Sequence, residues 1–277
     1  FEVVRHPEVD IVADVFGGTE AAKELVLEAI RHGKHVVTAN KKLLAEYGSE
    51  VFALAEEKNV MVQFEAAVAG GIPIIKALRE GLSANRIRSI AGIINGTSNF
   101  ILSEMREKGS AFADVLKEAQ ALGYAEADPT FDIEGHDAGH KITIMSALAF
   151  GTPVNFQACY LEGISGLDSR DIKYAEELGY RIKLLGITRK TDKGIELRVH
   201  PTLIPESRLL ANVNGVMNAV RVNADMVGET LYYGAGAGAL PTASAVVADI
   251  IDIARLIEAN TDHRVPHLAF QPTQVQA

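Results

Sequence analysis

The sequence predicts an α/β fold in two parts, and three observations predict it. Residues 9–64 alternate short apolar runs with amphipathic ones, strand–helix–strand–helix–strand, the rhythm of a right-handed parallel layer. Arg181–Arg189 and Ile195–His200 flank Thr191-Asp192-Lys193-Gly194, a hairpin signal that belongs to antiparallel sheet. Gly234–Gly238 (Gly-Ala-Gly-Ala-Gly) leads into Ala243–Ile257, a long helical run with little charge. The fold class is therefore a partial Rossmann-like parallel layer plus an α+β unit with a mainly antiparallel sheet. The 277 residues suffice for two domains.

Taken in order, Val9–Phe16 is a first strand of the buried parallel kind, and Gly17-Gly18-Thr19 turns out of it. Glu20–His32 is an amphipathic helix closed by Gly33. His35–Ala39 is the second strand, Lys41–Asn59 a helix and Val60–Phe64 the third strand. Such layers bind ligands beyond the carboxyl ends of their strands. Those ends are Gly17–Thr19, Thr38–Lys41 and Glu65–Gly71, which makes Gly18, Thr19 and Lys41 candidate contacts. A cation at a helix N-terminus opposes the dipole. Either Lys41 and Lys42 are solvated, or one of them answers to an anionic ligand. Glu65–Pro73 is a glycine-rich loop with one carboxylate and carbonyls suited to a hard cation, or else a tight structural turn. Pro73 suits the first turn of a helix over Ile74–Gly81. Arg86–Asn95 reads as a strand, Asn95–Asn99 as a turn and cap, and Phe100–Lys108 and Ala111–Leu122 as helices. Val216–Asn223 and Glu229–Tyr233 form another antiparallel pair, so a second domain begins near Glu65.

The chemistry concentrates in Gly123–Phe150. Its first half is acidic, with Glu126, Asp128, Asp132, Glu134 and Asp137; its second half is an apolar helix that carries no charge after Lys141. Asp137 and Lys141 stand four residues apart and share a helix face. By default such a pair is a solvated surface pair worth a few tenths of a kcal/mol. A solvated face rarely runs straight into a core helix, so the pair is read as proton-handling. His136 and His140 make an H-x-x-x-H pair, but no third zinc ligand is evident, and Gly135 and Gly139 weaken the helix there.

Composition excludes several classes. Net charge is −9 with no long basic run, against a nucleic-acid or anionic-membrane partner. No apolar run approaches membrane-span length. The single cysteine, Cys159, rules out an internal disulfide, suits a reducing cytoplasm, and has no His or Lys neighbour to activate it. The chain starts at Phe1 and enters a strand almost at once, so a preceding segment is expected; 259–277 reads as a polar tail or linker.

Six stretches then resemble homoserine dehydrogenase, in that family's order. They are Thr38–Lys42, Glu65–Pro73, Asn95–Asn99, Gly123–Pro129, Asp132–Lys141 and Gly234–Ser244, spread over nearly the whole chain. The resemblance implies the nicotinamide-dependent interconversion of aspartate-4-semialdehyde and L-homoserine, on the way to threonine, methionine and isoleucine. It implies 1–64 as a partial nucleotide-binding domain completed by helix 241–258, and 65–240 as a substrate-binding and dimerisation domain. Position by position, Lys141 matches the proton donor, Asp137 its partner, and Lys41 the lysine between cofactor and substrate. Glu126, Gly123 and Asp132 match the substrate-binding groups. Gly18, Thr19, Lys41 and Gly238 match contacts to NAD or NADP. Glu65, Val68, Gly70 and Ile72 match a monovalent-cation site, with sodium the expected ion. A homodimer is implied as well. The sequence departs from the family in lacking the Gly-rich opening of the nucleotide-binding domain and a C-terminal ACT-type domain. The alternative is a non-catalytic ligand-sensing or assembly module of the same fold.

Overall fold

The computed structural model describes residues 1–258; the expected tail, 259–277, lies outside the described residues. A short helix α1 (Glu2–Arg5) precedes β1 (Ile11–Asp14), α2 (Glu20–Arg31), β2 (His35–Thr38), α3 (Lys41–Lys58) and β3 (Val62–Gln63). These strands form a three-stranded parallel sheet in the order β1-β2-β3, with Ile11 opposite His35 and Val36 opposite Val62. α2 is amphipathic because Ala22, Val26, Leu27, Ala29 and Ile30 fall on one stripe, which is buried. α3 starts where Asn40 Oδ1 accepts from Leu43 N at 3.0 Å, and ends on Asn59 in the left-handed region.

The next elements are α4 (Ile74–Lys76), which runs into a wider π-type turn over Ala77–Gly81, β4 (Ile87–Ile93), α5 (Gly96–Lys108), α6 (Phe112–Ala121), α7 (Thr130–Ile133) and α8 (His136–Phe150). Then come β5 (Tyr160–Leu161), α9 (Ser169–Glu177), β6 (Tyr180–Thr191), β7 (Gly194–Pro205), β8 (Met217–Ala224), β9 (Glu229–Ala235) and α10 (Ala239–Glu258). β4–β9 build a six-stranded sheet in the order β5-β7-β6-β4-β8-β9, antiparallel except for β5 beside β7. The predicted mainly antiparallel sheet is therefore present.

Three local readings need correction. Helix α5 begins at Gly96 rather than Phe100, because the Asn95 side chain caps it by accepting from Ser98 N at 2.8 Å. β5 and α9 have no counterpart in the sequence reading. β5 is two residues long and is made by its neighbour β7, while α9 starts at a capping box of Asp168 and Asp171. The hairpin strands β6 and β7 are longer than expected, twelve residues each.

The large sheet alternates its side chains between two environments. Leu184, Val199, Val220 and Val222 point into the main core with Ile90 and Ile142, while Leu185, Ala219 and Ile204 point to the opposite face. α8 lies close on the core face because Gly186 has no side chain. A Cβ there would come within 2.9 Å of Ile94 Cδ1 and 3.1 Å of Ile142 Cβ. α10 returns to the parallel sheet, where Ala245, Val246 and Ile253 pack with Val37 and Ala66.

The junction between the sheets is polar. Buried Glu65 accepts from the N–H groups of Ile75 and Lys76 at 2.8 Å each, which satisfies the start of α4, and its own N–H donates to Asp249 Oδ2 at 2.8 Å. Burial raises the Glu65 carboxyl to about 7 and that of Asp249 to about 6. A carboxyl raised on folding binds more protons in the folded state than in the unfolded one between the two pKa values, so its contribution is full at low pH and falls as pH rises through that window. The stability difference between the wild type and Glu65→Gln should therefore grow as pH is lowered from 8 to about 5. Chemical denaturation of both proteins across that range measures it, and a difference independent of pH would refute the assignment.

Candidate active site

The site forms where the carboxyl end of β4, the start of α5 and the start of α8 meet the end of β2. Asp137 and Lys141 occupy successive turns of α8 and face inward, at 3% and 8% exposure. Their pair is not solvated. Lys141 Nζ lies 2.7 Å from Asp137 Oδ2 and donates to the Ile94 carbonyl at 2.8 Å. Lys41, the first residue of α3, places its Nζ 2.9 Å from Asp137 Oδ1. One carboxylate thus bridges two ammonium groups, and the anion that Lys41 answers to belongs to its own chain.

Asn95 ties the acidic stretch together. While its Oδ1 caps α5, its Nδ2 donates to Asp132 Oδ1 at 2.7 Å and to Asp137 Oδ2 at 2.9 Å. Thr97 Oγ1 lies 3.1 Å from Asp132 Oδ2 and donates to the Tyr124 carbonyl at 2.6 Å. On the other side, Asn40 Nδ2 donates to the Gly18 carbonyl at 2.7 Å, and Thr38 Oγ1 donates to Asp14 Oδ2 at 2.9 Å. The turn after β1 and the start of α3 are held together in this way, and Lys41 with them.

Burial works against every charge here, and the arrangement decides who keeps one. Burial would raise Asp137, but Lys141 and Lys41 beside it hold its carboxyl well below the usual carboxylate range. Burial lowers Lys141 below the ordinary lysine value; Asp137 opposes that, and Lys41 adds to it. Lys41 is less enclosed, and Asp137, with Asp132 and Glu126 further off, outweighs its burial and holds it above the ordinary value. Burial and the neighbouring Asp137 raise Asp132. Of the two lysines, Lys141 is therefore the one that exchanges its proton more readily.

The cluster opens on a cleft of about 410 Å³. Its walls carry Lys41, Asp132, Asp137 and Lys141, and also Gly123, Gly238, Val216 and Met217. Gly18 and Thr19 lie outside the lining and are joined to it through Asn40. Glu126 is exposed, outside the lining, and near enough to act on the charge of Lys41. Glu65, Val68, Gly70 and Ile72 are buried on the junction loop, outside the cleft lining but with Gly70 packed directly behind the Gly236 backbone that lines it. The H-x-x-x-H pair has another use: His140 is buried between Phe131 and Phe156, at 5.3 and 4.2 Å between centroids, and burial lowers it to about 4. Among the described residues no group of three His, Cys, Asp or Glu side chains is placed to hold a metal ion. Burial raises the Cys159 thiol to about 11, which makes it a poor nucleophile. The bridging role of Asn95 was missed, because the sequence shows it only as a cap.

The homoserine dehydrogenase family model matches residues 73–251, and the model of the NAD binding domain of homoserine dehydrogenase matches residues 1–65. The chain belongs to the homoserine dehydrogenase family. It is 87% identical over 277 residues to the homoserine dehydrogenase of Neisseria gonorrhoeae, and 67% identical over 272 residues to that of Pseudomonas aeruginosa. It covers 64% and 63% of those two proteins, so the chain spans somewhat under two thirds of the length of these curated relatives. The crystal structure of a homoserine dehydrogenase from Thiobacillus denitrificans superposes with a TM-score of 0.93 at 72% identity, over 98% of this chain and 63% of that one. A hyperthermophilic archaeal homoserine dehydrogenase in complex with NADPH superposes at 0.79 with 33% identity, over 91% and 74%. Among the described residues, no helix is long and apolar enough to cross a membrane.

Proposed function

We propose that the protein interconverts L-homoserine and aspartate-4-semialdehyde by hydride transfer with NAD or NADP, in the cytoplasm, as part of threonine, methionine and isoleucine biosynthesis. The observation that carries this reading is the Lys41–Asp137–Lys141 cluster opening on the cleft.

The residues fit a nicotinamide cofactor. A Cβ on Gly17 or Gly18 would meet nothing within 4 Å, so the backbone at the carboxyl end of β1 is open to a ligand there. Gly18, Thr19, Lys41 and Gly238 are the groups assigned to hold it. When bound, the cofactor supplies or accepts the hydride. The chain's own residues manage the charge that this leaves. Reduction builds negative charge on the aldehyde oxygen, and Lys141, whose proton is held less tightly than an ordinary lysine's, donates to that oxygen. In oxidation the neutral amine of Lys141 accepts the hydroxyl proton. Lys41 remains charged and stabilises the oxyanion from the other side of Asp137. Glu126 and the backbone of Gly123 are assigned to the amino end of the substrate, with Asp132 as a further substrate-binding group. The test is homoserine-dependent reduction of NAD or NADP by the purified protein. No turnover with either nucleotide would defeat the reading.

The reading includes two further elements. Sodium is assigned to Glu65, Val68, Gly70 and Ile72, a buried loop that offers one carboxyl group beside backbone carbonyls. A homodimer is assigned to the outer face of the large sheet. There Leu203 and Leu209 are 55% and 73% exposed beside a hollow of about 400 Å³ lined by Leu185, Ile187 and Leu231. Sedimentation at micromolar concentration should show a dimer and Leu209→Asp a monomer; a monomeric wild type would refute the assignment.

A further inference from the structure

Lys183, on β6, is among the largest side chains with almost no exposure, at 1%. A lysine in a strand interior must satisfy its N–H donors without water. Nζ donates to the Val213 carbonyl at 2.6 Å, to Asn99 Oδ1 at 3.1 Å and to Asn214 Oδ1 at 3.2 Å. None of these is a carboxylate. Burial, with Arg106 and Arg181 adding repulsion and Glu107 opposing, lowers the amine to about 7. An apolar residue here would take this donor from the Val213 carbonyl and from the side-chain oxygens of Asn99 and Asn214. What the amine adds is directed hydrogen bonding to one turn.

Asn99 grips the same turn from α5. Its Nδ2 lies 3.1, 2.9 and 3.1 Å from the carbonyls of Val213, Gly215 and Met217. Gly215 N–H donates to Ser103 Oγ at 3.1 Å, and Ser103 Oγ donates to the Asn99 carbonyl at 2.7 Å. The consequence lies on the far side of the turn. Val216 and Met217 line the cleft together with Asp132 and Lys141. The Gly96 backbone sits so close to the Val216 carbonyl that a Cβ would come within 2.9 Å of it. The helix that is gripped is also the one whose Asn95 and Thr97 hold the acidic cluster.

We propose that Lys183 is a positioning residue for the substrate cleft: with Asn99 it pegs the Val213–Met217 turn against α5, so that Val216 and Met217 stand at a set depth opposite the lysine–carboxylate cluster. The proposal rests on the functional reading above only for the identity of the substrate.

The test is Lys183→Met in the 277-residue chain, read by amide hydrogen exchange and by kinetics. Exchange across the Val213–Met217 turn should quicken about ten-fold or more, while β1–β3 keep wild-type protection. KM for homoserine should rise about ten-fold, with kcat within about three-fold and the nucleotide KM unchanged. Asn214→Ala removes one of the three acceptors at a half-buried position and should give the same pattern on a smaller scale, which keeps the proposal testable if Lys183→Met fails to fold. Wild-type exchange at the turn in a folded variant, or a loss of thermal stability with KM unchanged, overturns it. If the wild-type chain turns over no homoserine, the functional reading fails on its own, and the exchange data still decide whether Lys183 pegs the turn.

Discussion

Lys141→Ala is expected to lower kcat by about two to four orders of magnitude in both directions and to leave the fold intact. Such a loss corresponds to roughly 3–5 kcal/mol of transition-state stabilisation, in the range of a positioned acid or base and of an oxyanion donor. The fold should survive because Asp137 keeps Lys41 at 2.9 Å and Asn95 at 2.9 Å when Lys141 is gone. Only the Ile94 carbonyl loses a donor outright, at a cost of about 1–3 kcal/mol. The wild-type pH profile carries the same assignment. Homoserine oxidation needs the neutral amine, and burial places the Lys141 ammonium below the ordinary lysine value. The rate should therefore rise with pH and level off below about 10.4, the free-lysine value. Steady-state kinetics over pH and circular dichroism of the variant measure both. Wild-type-like turnover in a folded Lys141→Ala protein would refute the assignment.

Asp137→Asn is expected to cost about two to three orders of magnitude in kcat/KM and to move the pH profile in a defined direction. The substitution keeps the shape and removes the one negative charge between two ammonium groups. Lys41 loses the interaction that holds it above its ordinary value, and Lys141 loses the one that resists its burial. Both should release protons more readily, so the oxidative limb moves to lower pH while the maximal rate falls. Stability should also drop, because Asp137 is a group whose folded pKa is depressed. Its contribution is present above the unfolded value near 4 and is lost as pH falls below it. The penalty of Asp137→Asn should thus be large at pH 7, begin to shrink below about pH 4, and vanish only as pH falls through the depressed folded value, well below the usual carboxylate range. A profile shifted to higher pH, or a penalty that grows with acid, would contradict the bridging arrangement.

The two halves of the site were unequally visible beforehand. Asp137 and Lys141 were legible because helix geometry is local: a spacing of four residues puts two side chains on one face whatever the rest of the chain does. That this face is buried could be suspected from the uncharged run after Lys141, since a helix that is apolar beyond a point must be covered there. Asn95 was legible as a cap for the same local reason. Its second task, donating to two carboxylates, depends on β4 and α8 lying side by side and has no trace in its own neighbourhood. Lys183 is the stronger case. It stands between Ile182 and Leu184 in a strand, where a lysine reads as an outward-facing residue, and only its acceptors on a distant turn explain its burial.

What the sequence alone determined is whatever repeats over a few residues: the parallel strand–helix rhythm, the hairpin at Thr191–Gly194, the helix faces, and the stretches that mark the family. What only the tertiary structure decided is which charges meet. Lys41 opens a helix in the parallel layer, and Asp137 opens one on the other sheet. Their contact at 2.9 Å makes the two halves one site. Coulomb attraction and burial depend on distance through space rather than along the chain. Which of the two lysines holds its proton more tightly is therefore settled when the sheets come together.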